Sequence, residues 1–236
     1  MSTPTYFITG TDTSCGKTTV TAALGHRLGA SGYRVACFKP VASGCDRIDG
    51  QWRNEDALEL MNASYPALDY PVVNPIALPE AIAPHIAAER SSITIDIGAL
   101  AGPIRSHDAD IRLVEGAGGW MVPLGQSTMT SDLVGAVQAR VILVVGLRLG
   151  AINHALLSAR AIQADGFELS GWIANQLDPD QAARDENIAT IVSQLGPPMA
   201  TLLHGGQWQK ETESGALFRQ LRLPERPENS DPPAHP

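Results

Sequence analysis

Short, continuous apolar runs alternate along this chain with stretches in which apolar residues recur at helical spacing. Tyr6-Phe7-Ile8-Thr9 is a β-rich run that stops at Gly10 and predicts a first buried strand. Residues 18–28 then place Val20, Ala23, Leu24 and Leu28 on one helical face, and Gly29 and Gly32 mark the stop. A second strand is expected over 34–38, terminated by Lys39-Pro40. Strand, loop, helix and strand in that order predict a crossover unit feeding a parallel sheet.

The pattern recurs. Residues 111–114 form an apolar run with Glu115 at its end, followed by Gly116-Ala117-Gly118-Gly119. Residues 141–145 are apolar without interruption, as expected of a strand covered by helices on both faces. A helix is predicted over 151–164, a strand over 171–174 ending at Asn175, and a helix over 181–195 ended by Gly196-Pro197. A last strand is expected over 199–203 and a last short helix over 215–221. Residues 62–91 are interrupted by prolines and yield no assignment. From Pro224 to Pro236 the composition turns to Pro, Glu, Asn and Asp, which predicts a disordered tail after one domain over 1–223.

Bulk properties narrow the function classes. The chain has 236 residues and a net charge of -8, and no stretch concentrates Lys and Arg, so no nucleic-acid footprint is present. Cys15, Cys37 and Cys45 match neither a disulfide framework nor a zinc pattern. No secretory leader is legible, and the most apolar run, 141–149, is too short to span a bilayer. The expectation is a soluble, cytoplasmic protein that binds neither membrane nor nucleic acid.

Gly10-Thr-Asp-Thr-Ser-Cys-Gly16-Lys17-Thr18 lies between a predicted strand and a predicted helix. There a glycine-rich turn can aim backbone N–H groups at phosphate oxygens, at the positive end of the helix dipole. Lys17 would reach the terminal phosphates and the Thr18 hydroxyl would ligate Mg²⁺. Five residues, rather than the usual four, separate Gly10 from Gly16. Read structurally, the same glycines would only cap a helix; the flanking strand and helix favour a nucleotide site.

Lys39, Glu115 and Asn175 fall at the carboxyl ends of predicted strands, where open α/β sheets bind ligands. Ser43-Gly44 follows Lys39 in a small-residue loop able to approach a ligand. Glu115 is a candidate Mg²⁺ carboxylate. Asp56 is either its partner or an exposed helix residue. His85, His107, His154 and the tryptophans read as packing or surface residues. Cys15, beside a helix N-terminus, has two readings: a reactive thiol of lowered pKa, or an inert buried residue.

At these residues the chain resembles the dethiobiotin synthetase family, over about Tyr6 to Asn175. The likeness rests on the loop Gly10–Thr18, Lys39-Pro-Val-Ala-Ser-Gly44, Asn54-x-Asp56-Ala, Val73-Asn-Pro75, Pro84-His85, Val114-Glu-Gly-Ala-Gly-Gly-Trp120 and Gly150-x-Ile-Asn-His-Ala155. The resemblance implies an α/β, P-loop NTPase-like fold: a mostly parallel twisted sheet flanked by helices on both faces. It implies closure of a cyclic urea from 7,8-diaminononanoate, CO₂ and MgATP through a carbamate and a carbamic-phosphoric anhydride.

By the same resemblance Lys39, Lys17 and Thr13 are catalytic. Thr18, Asp56 and Glu115 hold Mg²⁺. Asp12, Thr13, Ser14, Cys15, Gly16, Lys17, Thr18, Thr19, Glu115, Gly116, Gly118 and Asn175 bind ATP. Thr13, Lys39, Ser43, Gly150 and Asn153 bind the diamine substrate, the last two across a homodimer interface. Ser14 and Cys15 depart from residues common in the family, and 201–207 lacks its proline-containing adenine loop. Two other activities share the fold expectation. A nucleotide-switched positioning ATPase normally carries a lysine near the loop start, where this chain has Thr11. An amide-forming ligase of cobalamin synthesis usually carries a glutaminase domain, for which there is no room.

Overall fold

The computed structural model describes residues 3–209, 217, 220, 221 and 223. In chain order the elements are β1 (Thr5–Gly10), α1 (Lys17–Ala30), β2 (Val35–Phe38), β3 (Val41–Ser43), β4 (Asp46–Ile48), β5 (Gln51–Arg53), α2 (Glu55–Ala63), α3 (Tyr70–Val73), β6 (Ile76–Leu78) and α4 (Pro84–Arg90). They continue with α5 (Ile97–Ser106), β7 (Ile111–Glu115), α6 (Thr130–Ala136), β8 (Arg140–Leu147), α7 (Ala151–Ala164), β9 (Leu169–Gln176), α8 (Arg184–Leu195), β10 (Ala200–Leu203) and β11 (Gln207–Trp208). The helix expected over 215–221 falls mostly outside the described residues, and the tail 224–236 wholly outside them.

The main sheet has the order β11-β10-β9-β8-β1-β7-β2 and is parallel except for the last pairing, β10 with β11. The predicted crossover from β1 through α1 to β2 therefore skips a place, because β7 inserts between the two strands. Alternation along the central strands explains why they read as unbroken apolar runs. Phe7, Val114, Leu143 and Val145 belong to one core with α5, α6 and α7, whereas Tyr6, Ile8, Leu113, Ile142 and Val144 belong to the other with α1 and α2. Successive side chains point to opposite faces, and both faces are covered. Two small sheets, β3 with β6 and the β4–β5 hairpin, occupy the region between β2 and α4.

This architecture sets the carboxyl ends of β2, β7, β1, β8 and β9 side by side along one edge. The segments leaving those ends carry Lys39, Glu115, the loop after Gly10, Arg148 and Asn175.

Candidate active site

Loop 11–16 turns through two left-handed residues, Ser14 (φ 61°) and Gly16 (φ 85°), before α1 begins at Lys17. Gly16 is needed twice over. A side chain there would be strained, and a Cβ would sit 1.9 Å from Asn175 Nδ2. The close approach has a purpose, since Asn175 Nδ2 donates to the Cys15 carbonyl at 2.9 Å and ties β9 to the loop. No side chain caps α1, so its first N–H groups remain available to an anion.

Cys15 settles between its two readings on packing grounds. It is fully buried, with its Sγ where a Gly10 Cβ would come within 2.2 Å and its backbone against Gly146. The thiol packs in the core and Cys15 does not line the cleft, so the packing favours the reading as a buried residue over that of a reactive thiol.

A cleft of about 1490 Å³ opens over the loop and along the strand ends. Asp12, Thr13, Ser14, Gly16, Lys17, Thr18, Thr19, Lys39, Ser43, Asp56, Glu115, Gly118 and Asn175 all line it. Lys17, 6% exposed, donates from Nζ to the Asp12 carbonyl at 3.0 Å, folding back across the loop. Lys39, 5% exposed, forms a short ion pair with Glu115 and a second one with Asp56 at 3.0 Å. Thr18 donates to the same Glu115 Oε1 at 2.9 Å. Five residues from α1, α2, β7 and the segment leaving β2 thus meet in one polar cluster, and both ammonium groups face the same cleft. Asp56 belongs to this cluster through the first turn of α2, rather than to an exposed helix face.

Electrostatics keep the cluster charged. Burial pulls the Lys39 ammonium down, but Glu115 and Asp56 outweigh it and hold the pKa above its ordinary 10.5. Burial raises the Asp56 carboxyl, yet Lys39, with Thr18 and Lys17, leaves it below the ordinary 3.8. At neutral pH both are ionised. Glu115 Oε2 is buried without a hydrogen-bond partner, an uncompensated lone-pair site in a carboxylate that already serves Lys39 and Thr18. Two carboxylate side chains and one hydroxyl suit Mg²⁺, which takes few protein ligands and keeps water or phosphate oxygens.

Four expected residues lie off the cleft lining, and Cys15, fully buried, is one of them. Gly116 packs its Cα against the Phe7 ring, where a Cβ would come within 2.8 Å, and offers Lys39 a carbonyl at 3.5 Å. Gly150 (φ 93°) and Asn153 sit at the start of α7, and Asn153 is exposed. Other groups were not legible in advance. Arg148 reaches Asp12 across 2.5 Å. Glu59, Met121, Leu157 and the turn His204-Gly205-Gly206 join the cleft wall. Each depends on chain segments far apart in sequence, and no local motif announces it.

The profile of the AAA domain family matches residues 4–203. An ATP-dependent dethiobiotin synthetase BioD of Xanthomonas euvesicatoria pv. vesicatoria (strain 85-10) is 44% identical over 223 residues, covering 94% of this chain and 98% of that one. The ATP-dependent dethiobiotin synthetase BioD of Pseudomonas aeruginosa (strain UCBPP-PA14) is 48% identical over 198 residues, covering 83% and 87%. Among solved structures, the septum site-determining protein MinD from Pyrococcus horikoshii OT3, complexed with Mg-ADP, superimposes with a TM-score of 0.52 at 15% identity. It covers 92% of this chain and 86% of that one, a likeness of fold alone. Among the described residues no helix is long and apolar enough to cross a membrane. Identity near one half over almost the full length of such relatives, on a chain whose Lys17, Thr18, Lys39, Asp56 and Glu115 converge on one cleft, places it in the ATP-dependent dethiobiotin synthetase family.

Proposed function

We propose that this chain, as one cytoplasmic domain, closes the cyclic urea of dethiobiotin from 7,8-diaminononanoate, CO₂ and ATP. The observation that carries this reading is the meeting of Lys17, Lys39, Thr18, Asp56 and Glu115 at the uncapped N-terminus of α1. Phosphoryl transfer asks a protein mainly for positioning and for cations around a crowd of anions. Loop residues 12–19, with Gly116 and Gly118 alongside, would cradle the phosphates, and Asn175 would read the adenine from the loop's far side.

Thr13 and Ser43 are suited to the diamine end. Ser43 Oγ is buried and unpartnered, so it has a hydrogen bond to offer a substrate amine or carbamate. One substrate amine captures CO₂ as a carbamate, losing a proton, and the carbamate oxygen attacks the γ-phosphorus of ATP, breaking its bond to the β-phosphate oxygen and releasing ADP. The second amine then closes on the mixed anhydride and expels phosphate. Lys17 and Lys39 neutralise the oxygens that gather charge in both steps. Thr18, Asp56 and Glu115 would hold Mg²⁺, which supplies further charge neutralisation at the phosphates.

A homodimer completes the reading. Leu149 is fully exposed and Leu157 is 57% exposed, giving α7 and its approach an apolar face. Gly150 and Asn153 stand beside that face, and in such a dimer they would receive the substrate carboxylate of the other subunit's cleft.

The direct test is to supply purified protein with diaminononanoate, bicarbonate and MgATP and to follow dethiobiotin and ADP by mass. Equal amounts of both products are expected, and ADP release that ignores the diamine would defeat the reading. Glu115→Ala should raise the Mg²⁺ concentration for half-maximal rate by about tenfold or more, since it removes a ligand and a neighbour of Thr18. A magnesium titration superimposable on that of the unchanged protein would exclude Glu115 from the metal site.

A further inference from the structure

We propose that Tyr70 is a positioning residue for this reaction: its buried hydroxyl, with Asn54 and Asn74, forms a relay that fixes Lys39 and Asp56 relative to each other. The proposal rests on the functional reading above and extends it to residues to which that reading gives no chemical step.

The relay is continuous. The Tyr70 hydroxyl accepts from the Asn54 backbone N–H at 2.7 Å and donates to Asn74 Oδ1 at 2.8 Å. Asn74 Nδ2 then donates to the Lys39 carbonyl at 2.6 Å and to the Ile76 carbonyl at 3.1 Å. Lys39 N–H returns a bond to the Val73 carbonyl at 2.9 Å, so the chain at Lys39 is held from both sides by residues 73 and 74. At the other end, Asn54 Oδ1 caps α2 by accepting from Ala57 N–H at 3.3 Å. The hydroxyl therefore joins the backbone that carries Lys39 to the helix start that carries Asp56.

Three features make this more than packing. Tyr70, Asn54 and Asn74 are each no more than 7% exposed, so the relay lies largely out of solvent, where an unmade hydrogen bond is costly. The two elements also meet through the Lys39–Asp56 ion pair and the Cys37 N–H bond to Ser64 Oγ, and the relay is the connection that ties the backbone at Lys39 to the N-terminus of α2. Arg53 stacks its guanidinium 4.0 Å from the Tyr70 ring centre, which holds the ring from outside. The arrangement also gives a use to Val73-Asn-Pro75 and to Asn54, which the phosphate chemistry does not employ.

Placing charges within an ångström matters to transfer between them, and misplacement costs roughly a hundredfold in rate. Tyr70→Phe should therefore lower kcat by roughly ten- to a hundredfold, with ATP binding and the KM for the diamine within about threefold. Asn74→Asp keeps the acceptor for Tyr70 but loses the donor to Lys39, and should lower kcat in the same way. The double variant should be hardly slower than either single one, because both break one connection. Amide exchange at Asn54 and Ala57 should quicken in Tyr70→Phe while that of β1 and β8 stays unchanged.

A kcat within twofold of the unchanged protein in both single variants would overturn the proposal. So would a parallel fall of kcat, ATP affinity and melting temperature, which marks general destabilisation. Should the unchanged protein make no dethiobiotin, the reading of the reaction fails by itself. The exchange pattern then decides the relay, and unaltered exchange at Asn54 and Ala57 would overturn it.

Discussion

Lys39→Gln is expected to lower the rate of dethiobiotin formation by about 100- to 1000-fold, the range found when a fixed group that stabilises transition-state charge is removed. Glutamine preserves much of the length and a hydrogen-bond donor, so the variant isolates the charge. That charge is unusually well placed. The ammonium is buried, ion-paired to Glu115 and to Asp56 at 3.0 Å, and kept ionised by both. Its loss also leaves Glu115, buried at 1% exposure, without its counter-ion, and stranding a buried charge is destabilising by about 3–5 kcal/mol. The variant should therefore melt earlier than the unchanged protein and recover more when Mg²⁺ is added. Kinetics at saturating ATP, with folding checked by circular dichroism, distinguish lost chemistry from lost structure. Turnover near the original level would remove Lys39 from the reaction.

Lys17→Gln should act on binding and chemistry together, lowering kcat/KM for ATP by about 1000-fold. Lys17 opens α1 and lies across the loop with its ammonium on the Asp12 carbonyl, 3.0 Å away. A neutral carbonyl is a weak partner for a buried ammonium, and phosphate oxygens offer a stronger one. On the proposed function, exchanging the first for the second would bring the charge onto the nucleotide. Because that contact would be made in the bound state as well as in the transition state, calorimetric ATP affinity should fall along with kcat. The Lys39 variant should instead show its loss chiefly in kcat. An unaltered ATP affinity in Lys17→Gln would mean that the loop amides alone carry the phosphates.

How far the chain could be read in advance follows from how local each signal is. The strands around Phe7, Val114 and Leu143 were legible because burial on both faces leaves uninterrupted apolar runs. Helix α7 was legible over its whole length, from Ala151 to Ala164, because its apolar spacing is undisturbed. Helix α5 was not: Gly98, Gly102 and Pro103 interrupt its pattern, and packing of Leu100, Ala101 and Ile104 against the core overrides them. The short elements between residues 62 and 91 were hidden for a similar reason. The turn at Tyr70 and the strand at Ile76 are held by contacts with Lys39 and with β3, and show little periodicity of their own.

Sequence alone determined the main strands β1, β2, β7, β8, β9 and β10, the helices α1, α7 and α8, the glycine-rich turn before α1, and which polar residues stand at strand ends, since all of these arise from neighbouring residues and their spacing. Only the tertiary structure decided that β7 inserts between β1 and β2, which brings Glu115 to Lys39 and Thr18. It likewise turned Cys15 inward, drew Asp56 into the cleft and joined Tyr70 to Asn54 and Asn74. These are long-range pairings, chosen by how two sheet faces can be covered at once and by where buried polar groups find partners. No short window of residues carries that information, because it exists only after the chain has closed on itself.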